Sequence, residues 1–216
     1  LDRQRARPAR RKSDTLNALR RAVDYFAAPG TGGDGVLDSA TEIQRRRALV
    51  VLSAAIVAAC PFPVGLYFLV EGLRSPQAWI VVLVGAGIGA IPWMLRSGTP
   101  TNRCGLWLML LFSGGLSGFS WASGGPASPA IMWYPVGGLI GALFTNVRIG
   151  LANALALVGN LLAMWAAAAA GHAFPGLLMP GTERVLDLVS ISQLTLVFFG
   201  CAWAYERARD AHETRL

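Results

Sequence analysis

The chain has 216 residues, 54% of them hydrophobic and only 14% charged, with a formal net charge of +7 and a mean hydropathy of +0.47. That balance excludes a soluble domain of average makeup. Three cysteines and two histidines, at spacings that fit no zinc or redox motif, exclude disulfide and metal scaffolds, so neither a metal nor a cofactor is expected.

The first residues, RQRARPARRK from Arg3 to Lys12, read as a disordered arm attracted to anionic lipid headgroups, each charge contributing about 1 kcal/mol near the surface. No aromatic residues are interleaved with these charges, so no nucleic-acid partner is expected. Ser13 is placed to cap a short helix that aligns Leu16, Leu19, Val23 and Phe26 on one face and closes at Pro29 and Gly30. This helix is expected on the inner membrane surface, tied to the first membrane span by a flexible Gly- and Asp-rich link from Gly30 to Ser39. A long charged segment ahead of the first apolar run disfavours a cleavable signal peptide.

Beyond the link lie six apolar runs, uncharged except for Asp187 in the last: Ala48 to Val70, Pro76 to Leu95, Cys104 to Ala122, Ala130 to Val147, Ile149 to Gly171 and Val185 to Tyr205. Each is long enough to span a bilayer as a helix. The fold class is therefore all-α: a polytopic membrane protein built as a six-transmembrane-helix bundle. Its expected parts are a cytoplasmic basic arm with a short amphipathic helix over 1–47, a transmembrane domain over 48–205 and the start of a cytoplasmic helix over 206–216. Basic residues concentrate before the first run, in the second and fourth connections and in the tail, whereas the first and fifth connections hold only Arg74 and Arg184. The positive-inside rule then puts both termini in the cytoplasm. Trp79, Trp121, Trp133 and Trp165 fall near outer ends and Trp93, Trp107 and Trp203 near inner ones, as two interfacial belts.

Lipid tails are as apolar as leucine, so membrane helices associate where small residues permit close approach. Gly85 with Gly89, Gly114 with Gly118 and Gly137 with Gly141 predict tight packing of the second, third and fourth spans. Pro61, Pro63, Pro92 and Pro135 predict kinks. Polar groups in spans are costly and few: Asn153 and Asn160 on one face of the fifth, and Asp187, Ser190 and Gln193 on one side of the sixth. Hydrogen bonding between helices explains the asparagines and Gln193, whereas Asp187 must find a partner, reach water or stay protonated.

Chemistry inside the bilayer is not supported. Gly115 to Gly118 spell GLSG, the nucleophile motif of intramembrane rhomboid proteases, yet His172 and His212 both lie outside the runs and no base can serve the serine. The GAGIG run at Gly85 follows no strand, and the single lysine, Lys12, lies in the arm. No catalytic residue is assigned. A translocation path is also open, although only one charged residue falls within the runs.

The third connection, Trp121 to Ala130 followed by Ile131, Met132, Trp133, Tyr134 and Pro135, is uncharged, turn-rich and aromatic. Trp121, Trp133 and Tyr134 would surround a shallow outer pocket or simply form part of an interfacial belt. The stretch GGPASPAIMWYP, a span ending at Arg148, a fifth span, an outer loop and a sixth span running into a charged helix together resemble the six-span sensory region of bacterial membrane histidine kinases, many of which carry G-G-x-x-S-P-A-x-x-W there. The likeness covers roughly residues 100–216. The same layout resembles membrane anchors of class III adenylyl cyclases and of diguanylate cyclases. What the resemblance implies is a dimer in the bacterial inner membrane, with a cytoplasmic output domain in cis whose catalytic motifs are not in this sequence.

Val197, Cys201, Ala204, Ala208 and Ala211 fall on a heptad stripe, so the sixth helix is expected to leave the bilayer unbroken and pair with its copy. The expected function is that of a sensor for a small apolar or amphipathic ligand or for membrane state. Trp133, Tyr134 and Asp187 would do the sensing, supported by Trp121 and Asn160, while Ala204, Ala208 and Ala211 transmit. A cyclase anchor and a small-solute transporter are the alternatives.

Overall fold

The computed structural model describes residues 17–18, 20–28, 40–175 and 191. Asp187, Ala204, Ala208 and Ala211, the sixth apolar run apart from Ile191, the basic arm and the Gly30 to Ser39 link lie outside the described residues. Among those described there is helix and turn and no strand.

Helix α1 spans Ala40–Ala59 and α2 Pro61–Glu71. They form one nearly continuous rod through Cys60, whose N–H still reaches the Ile56 carbonyl at 3.2 Å. Pro61 and Pro63 sit in the first turn of α2, where a missing N–H leaves no bond unmade. The next rod is α3, Pro76–Gly89, followed after Ala90 by α4, Ile91–Arg96. Ser75 caps α3, its hydroxyl accepting from the Ala78 N–H at 3.4 Å, and Pro92 sits in the first turn of α4. Helix α5 runs uninterrupted over Thr101–Ala122. After two 3-10 turns, Gly125–Ala127 and Pro129–Trp133, come α6 over Tyr134–Phe144 and α7 over Val147–Ala169. The helices are thus interrupted at Cys60 and Ala90, beside prolines expected to kink them, whereas at Pro135 the 3-10 turn passes directly into α6 at Tyr134.

Among the described residues, four stretches are long and apolar enough to cross a bilayer: Glu42–Leu69, Pro76–Arg96, Thr101–Ala122 and Val147–Ala169. The fourth run differs from its expected form. Its apolar stretch, Pro129–Phe144, is shorter, and the 11 residues of α6 rise only about 17 Å against a hydrocarbon core of about 30 Å. Two local features shorten it. Pro129 and Pro135 hold the entry in a 3-10 turn, and Asn146 ends the run by capping the next helix, its Oδ1 accepting from the Ile149 N–H at 2.8 Å. Helix α7 therefore begins at Val147, ahead of the Ile149 expected from hydropathy.

The main core lies between α1, α3, α4 and α5, where Leu49, Ile88, Ile91, Leu95, Cys104 and Leu108 are fully buried. Glycines set the helix contacts, though not all those expected do so. A Cβ on Gly85 would lie 3.1 Å from Cys60 Sγ, as close packing requires, while one on Gly89 would make only ordinary contact with Val57. In α5 it is Gly115, not Gly114, that admits a neighbour: its Cβ would fall 2.6 Å from Val84, whereas Gly114 faces open space and Gly118 touches Ile80 loosely. The tightest seam joins α6 to α7. There Gly141 meets Gly150 backbone to backbone and Gly138 lies against Ala154.

Contacts of Arg45 with Thr145, of Gly105 with Phe144 and of Gly150 with Ala142 gather the helix ends that carry Arg45, Arg46, Arg47, Arg103 and Arg148, and Arg96 and Arg47 meet there on the segment 20–27. We call this the arginine-rich end, and the other, marked by Trp121 and Tyr134, the aromatic end. At the arginine-rich end Arg45 donates to the Thr145 and Leu143 carbonyls at 3.3 and 3.4 Å, closing the C-terminus of α6. Arg46 lies 3.7 Å from Glu42 in an ion pair.

The segment 20–27 is helical, but its apolar face turns onto the bundle. Val23 and Phe26 pack against the main core, Ala27 is buried and Phe26 meets Trp93 edge-on at 5.3 Å. Two arginines fasten it. Arg47 pairs with Asp24 at 2.8 Å, and Arg96 donates to the Tyr25 carbonyl at 2.9 Å while its guanidinium lies 3.6 Å over the Tyr25 ring. The bundle thus supplies both an apolar seat and countercharges for this helix, which periodicity alone does not reveal. Phe26→Ala should loosen this contact by about 1 kcal/mol, given that the ring is only partly buried. Faster trypsin cleavage at Arg20 and Arg21, with the helical spans intact, is the expected readout; unchanged cleavage would contradict the docking.

Candidate functional site

The aromatic end holds three of the residues singled out in the sequence. Trp121 lies in the last turn of α5, Tyr134 opens α6 and Asn160 sits within α7. The Trp121 indole N–H donates to Asn160 Oδ1 at 2.9 Å, and Asn160 Nδ2 donates to the Tyr134 hydroxyl at 2.8 Å. One asparagine thereby links three helices. Tyr134 is buried, and among the described residues nothing accepts its own hydroxyl proton. A buried phenol holding an unused donor is a place where an acceptor from elsewhere can bind.

The loop that positions these groups is built from small hydroxyl residues and glycine. Ser123 Oγ donates to the Phe119 carbonyl at 2.6 Å and shares a 2.8 Å hydrogen bond with Ser128 Oγ. Ser128 in turn accepts from the Ala130 N–H at 3.3 Å, so the sharp reversal leaves its backbone satisfied. Gly124 adopts φ 104° and Gly125 φ 59°, which glycine tolerates and other residues rarely do. At Gly125 the space a side chain would fill is taken by the Phe174 ring, 2.6 Å from the position of a Cβ.

Phe174 and His172 are site residues that sequence reasoning missed. Helix α7 ends in a Schellman motif: Gly171, at φ 84°, donates to the Ala168 carbonyl and His172 to the Ala167 carbonyl. The chain folds back over Trp121, giving ring separations of 5.3 Å from Trp121 to Phe174, 6.2 Å from Trp121 to His172 and 4.8 Å between His172 and Phe174. The glycine after an alanine run was the available signal for that return. Below the rings, Leu157 and Met164 are buried with Leu116, Ile131 and Leu161 packed around them.

Trp133 does not join this cluster. Neighbouring residues on a helix diverge by about 100°, and Trp133 points the other way, meeting Phe112 edge-on at 6.4 Å beside the main core. Asn153 is separate as well. Its Nδ2 donates to Ser113 Oγ at 2.9 Å, in the space left by Gly137, whose Cβ would lie 2.7 Å from that hydroxyl. That bond is interhelical glue, as expected for both asparagines.

Chemically, the aromatic end offers a hydroxyl donor and an asparagine amide set between apolar residues and a roof of rings. Among the described residues it shows no hydrogen-bonded nucleophile and base, and no three His, Cys, Asp or Glu side chains lie together as metal ligands would. Such a place can hold the polar head of an amphipathic molecule by exchanging one hydrogen bond for another. No family model matches this chain, and neither does any curated protein or solved structure.

Proposed function

We propose that the chain is the membrane-embedded input module of a bacterial signalling protein, a homodimer in the inner membrane with six spans and both termini cytoplasmic. Its output domain would be a histidine kinase, and a cyclase is the alternative output. The observation that supports this reading is the Trp121–Asn160–Tyr134 chain, which ties α5, α6 and α7 together at one end through bonds an amphipathic ligand could replace.

In this mechanism the ligand accepts the Tyr134 proton or takes Asn160 from Trp121. Either exchange changes the pose of α6 against α7. Because α6 is short and its far end is held by Arg45, a shift at the aromatic end is felt at the arginine-rich end. The bias is limited to the difference in ligand affinity between the two arrangements. Asp187 in the sixth run would complete the site, and Ala204, Ala208 and Ala211 would carry the change outward along the exit helix.

The test is a fusion of the chain, through Leu216, to a cytoplasmic kinase reporter, challenged with a panel of small amphipathic compounds. The wild type should change reporter output with at least one class of compound, and Asn160→Leu should abolish that change while leaving expression intact. A response unaltered by Asn160→Leu, or robust solute flux through the protein in proteoliposomes, would overturn the proposal, the latter in favour of a transporter.

A further inference from the structure

The helical segment 20–27 has one apolar face and two surfaces that can receive it. On the bundle, Val23 and Phe26 pack against the main core and Ala27 is only 2% exposed. The same stripe, which the sequence continues back through Leu19 and Leu16, is what an amphipathic helix lays into the headgroup boundary of a membrane. One face cannot fill both seats at once.

The polar contacts that fasten the docked state are open to competitors. Asp24 pairs with Arg47 at 2.8 Å, but the two side chains are 40% and 46% exposed, and an ion pair so wetted is weak and easily screened. Arg96 donates to the Tyr25 carbonyl at 2.9 Å and lies 3.6 Å over the Tyr25 ring, on a residue that is itself 52% exposed. Both fastening groups are guanidiniums, which bind phosphate in preference to a neutral carbonyl.

The remaining charge opposes docking. The segment brings Arg20 and Arg21, both exposed, against the single acid Asp24, and Arg21 Nε donates only within its own helix, to the Asn17 carbonyl at 3.3 Å. The basic stretch from Arg3 to Lys12 precedes it, and the seat is the arginine-rich end. Docking therefore sets cations against cations, whereas an anionic lipid surface attracts all of them. We propose that segment 20–27 is a strap whose seat is chosen by lipid charge: it lies on the bundle over neutral lipid and moves to the membrane surface where anionic phospholipid surrounds the arginine-rich end. Its release hands Arg47 of α1 and Arg96 of α4 to lipid phosphates, so headgroup charge acts directly on two helices of the bundle.

The full chain carrying the photoreactive residue p-benzoylphenylalanine at Phe26 should, in phosphatidylcholine vesicles, cross-link mainly within the chain, to α4 beside Trp93. In vesicles of equal parts phosphatidylglycerol and phosphatidylcholine the ratio of lipid adduct to α4 adduct, read by mass spectrometry, should rise about thirtyfold, as two arginines brought to an anionic surface predict. Arg20→Gln/Arg21→Gln should remove most of that rise, and Asp24→Asn should raise the ratio about threefold in phosphatidylcholine alone. The same photoprobe at Val23 should give the same pattern, which guards against the larger ring at position 26 having unseated the helix. A ratio indifferent to phosphatidylglycerol at both positions, a rise undiminished in the glutamine double variant, or an equal rise when inorganic phosphate is added to phosphatidylcholine vesicles would each overturn the proposal.

Discussion

Gly150→Ala should destabilise the bundle by about 3 kcal/mol, whereas Gly159→Ala on the same helix should be neutral or stabilising by a fraction of a kcal/mol. The two substitutions add the same methyl group to α7 and differ only in what it meets. At Gly150 the Cβ would lie 2.5 Å from the Ala142 backbone nitrogen and 2.8 Å from its Cα, while at Gly159 nothing lies within 4 Å. Backbone cannot swing aside as a side chain can, so the helices must separate. Contact is lost along the seam that also holds Gly138 and Gly141, and membrane helices gain much of their attraction from such close approach. Reversible unfolding in mixed detergent, monitored by helical signal, measures the difference. Equal stabilities for the two variants would show that α6 and α7 do not meet here.

The second large effect is expected at Asn160. Asn160→Leu removes two interhelical hydrogen bonds at once and strands the buried Tyr134 hydroxyl. Interhelical bonds in membranes are modest, averaging about 0.6 kcal/mol each, so the loss should be about 1 to 2 kcal/mol once the stranded group is included. Asn153→Leu, which breaks only the bond to Ser113, should cost about half as much. A double-mutant cycle separates structure from coincidence: in the Asn160→Leu background Trp121→Phe should cost less than in the wild type, and Tyr134→Phe should recover stability by removing the stranded hydroxyl. Full additivity of these losses would mean that the three side chains do not act as one chain. The same variants bear on the signalling proposal, since a sensor that works through Asn160 must lose its response along with the bonds.

These two sites differ in how legible they were. Three of the five sensing candidates, Trp121, Tyr134 and Asn160, do come together, because an uncharged Gly- and Pro-rich turn between aromatics and a polar residue within an apolar helix are both costly features that need a structural reason. Trp133 was grouped with them by adjacency alone and faces elsewhere. His172 and Phe174 were overlooked because their place depends on the Schellman turn at Gly171, a three-dimensional return that no hydropathy window records. Likewise the four-residue spacing of glycines located the right helices but at Gly114 the wrong residue, since every turn of such a helix offers several small positions and only the partner helix selects Gly115.

The apolar runs by themselves determined that this chain is helical and suited to a bilayer, because backbone groups in hydrocarbon must be paired within the segment that carries them. Their boundaries by proline and the segregation of arginine to one end were fixed the same way, by local sterics and charge. Tertiary structure decided the rest: that the fourth run is a short helix hung between Asn146 and a 3-10 turn, that the segment 20–27 docks on the bundle through Arg47 and Arg96, and that one asparagine joins three helices. Each of these depends on which groups from distant parts of the chain meet. Hydrogen bonds and van der Waals contacts act over a few ångströms in space, whatever the separation in sequence.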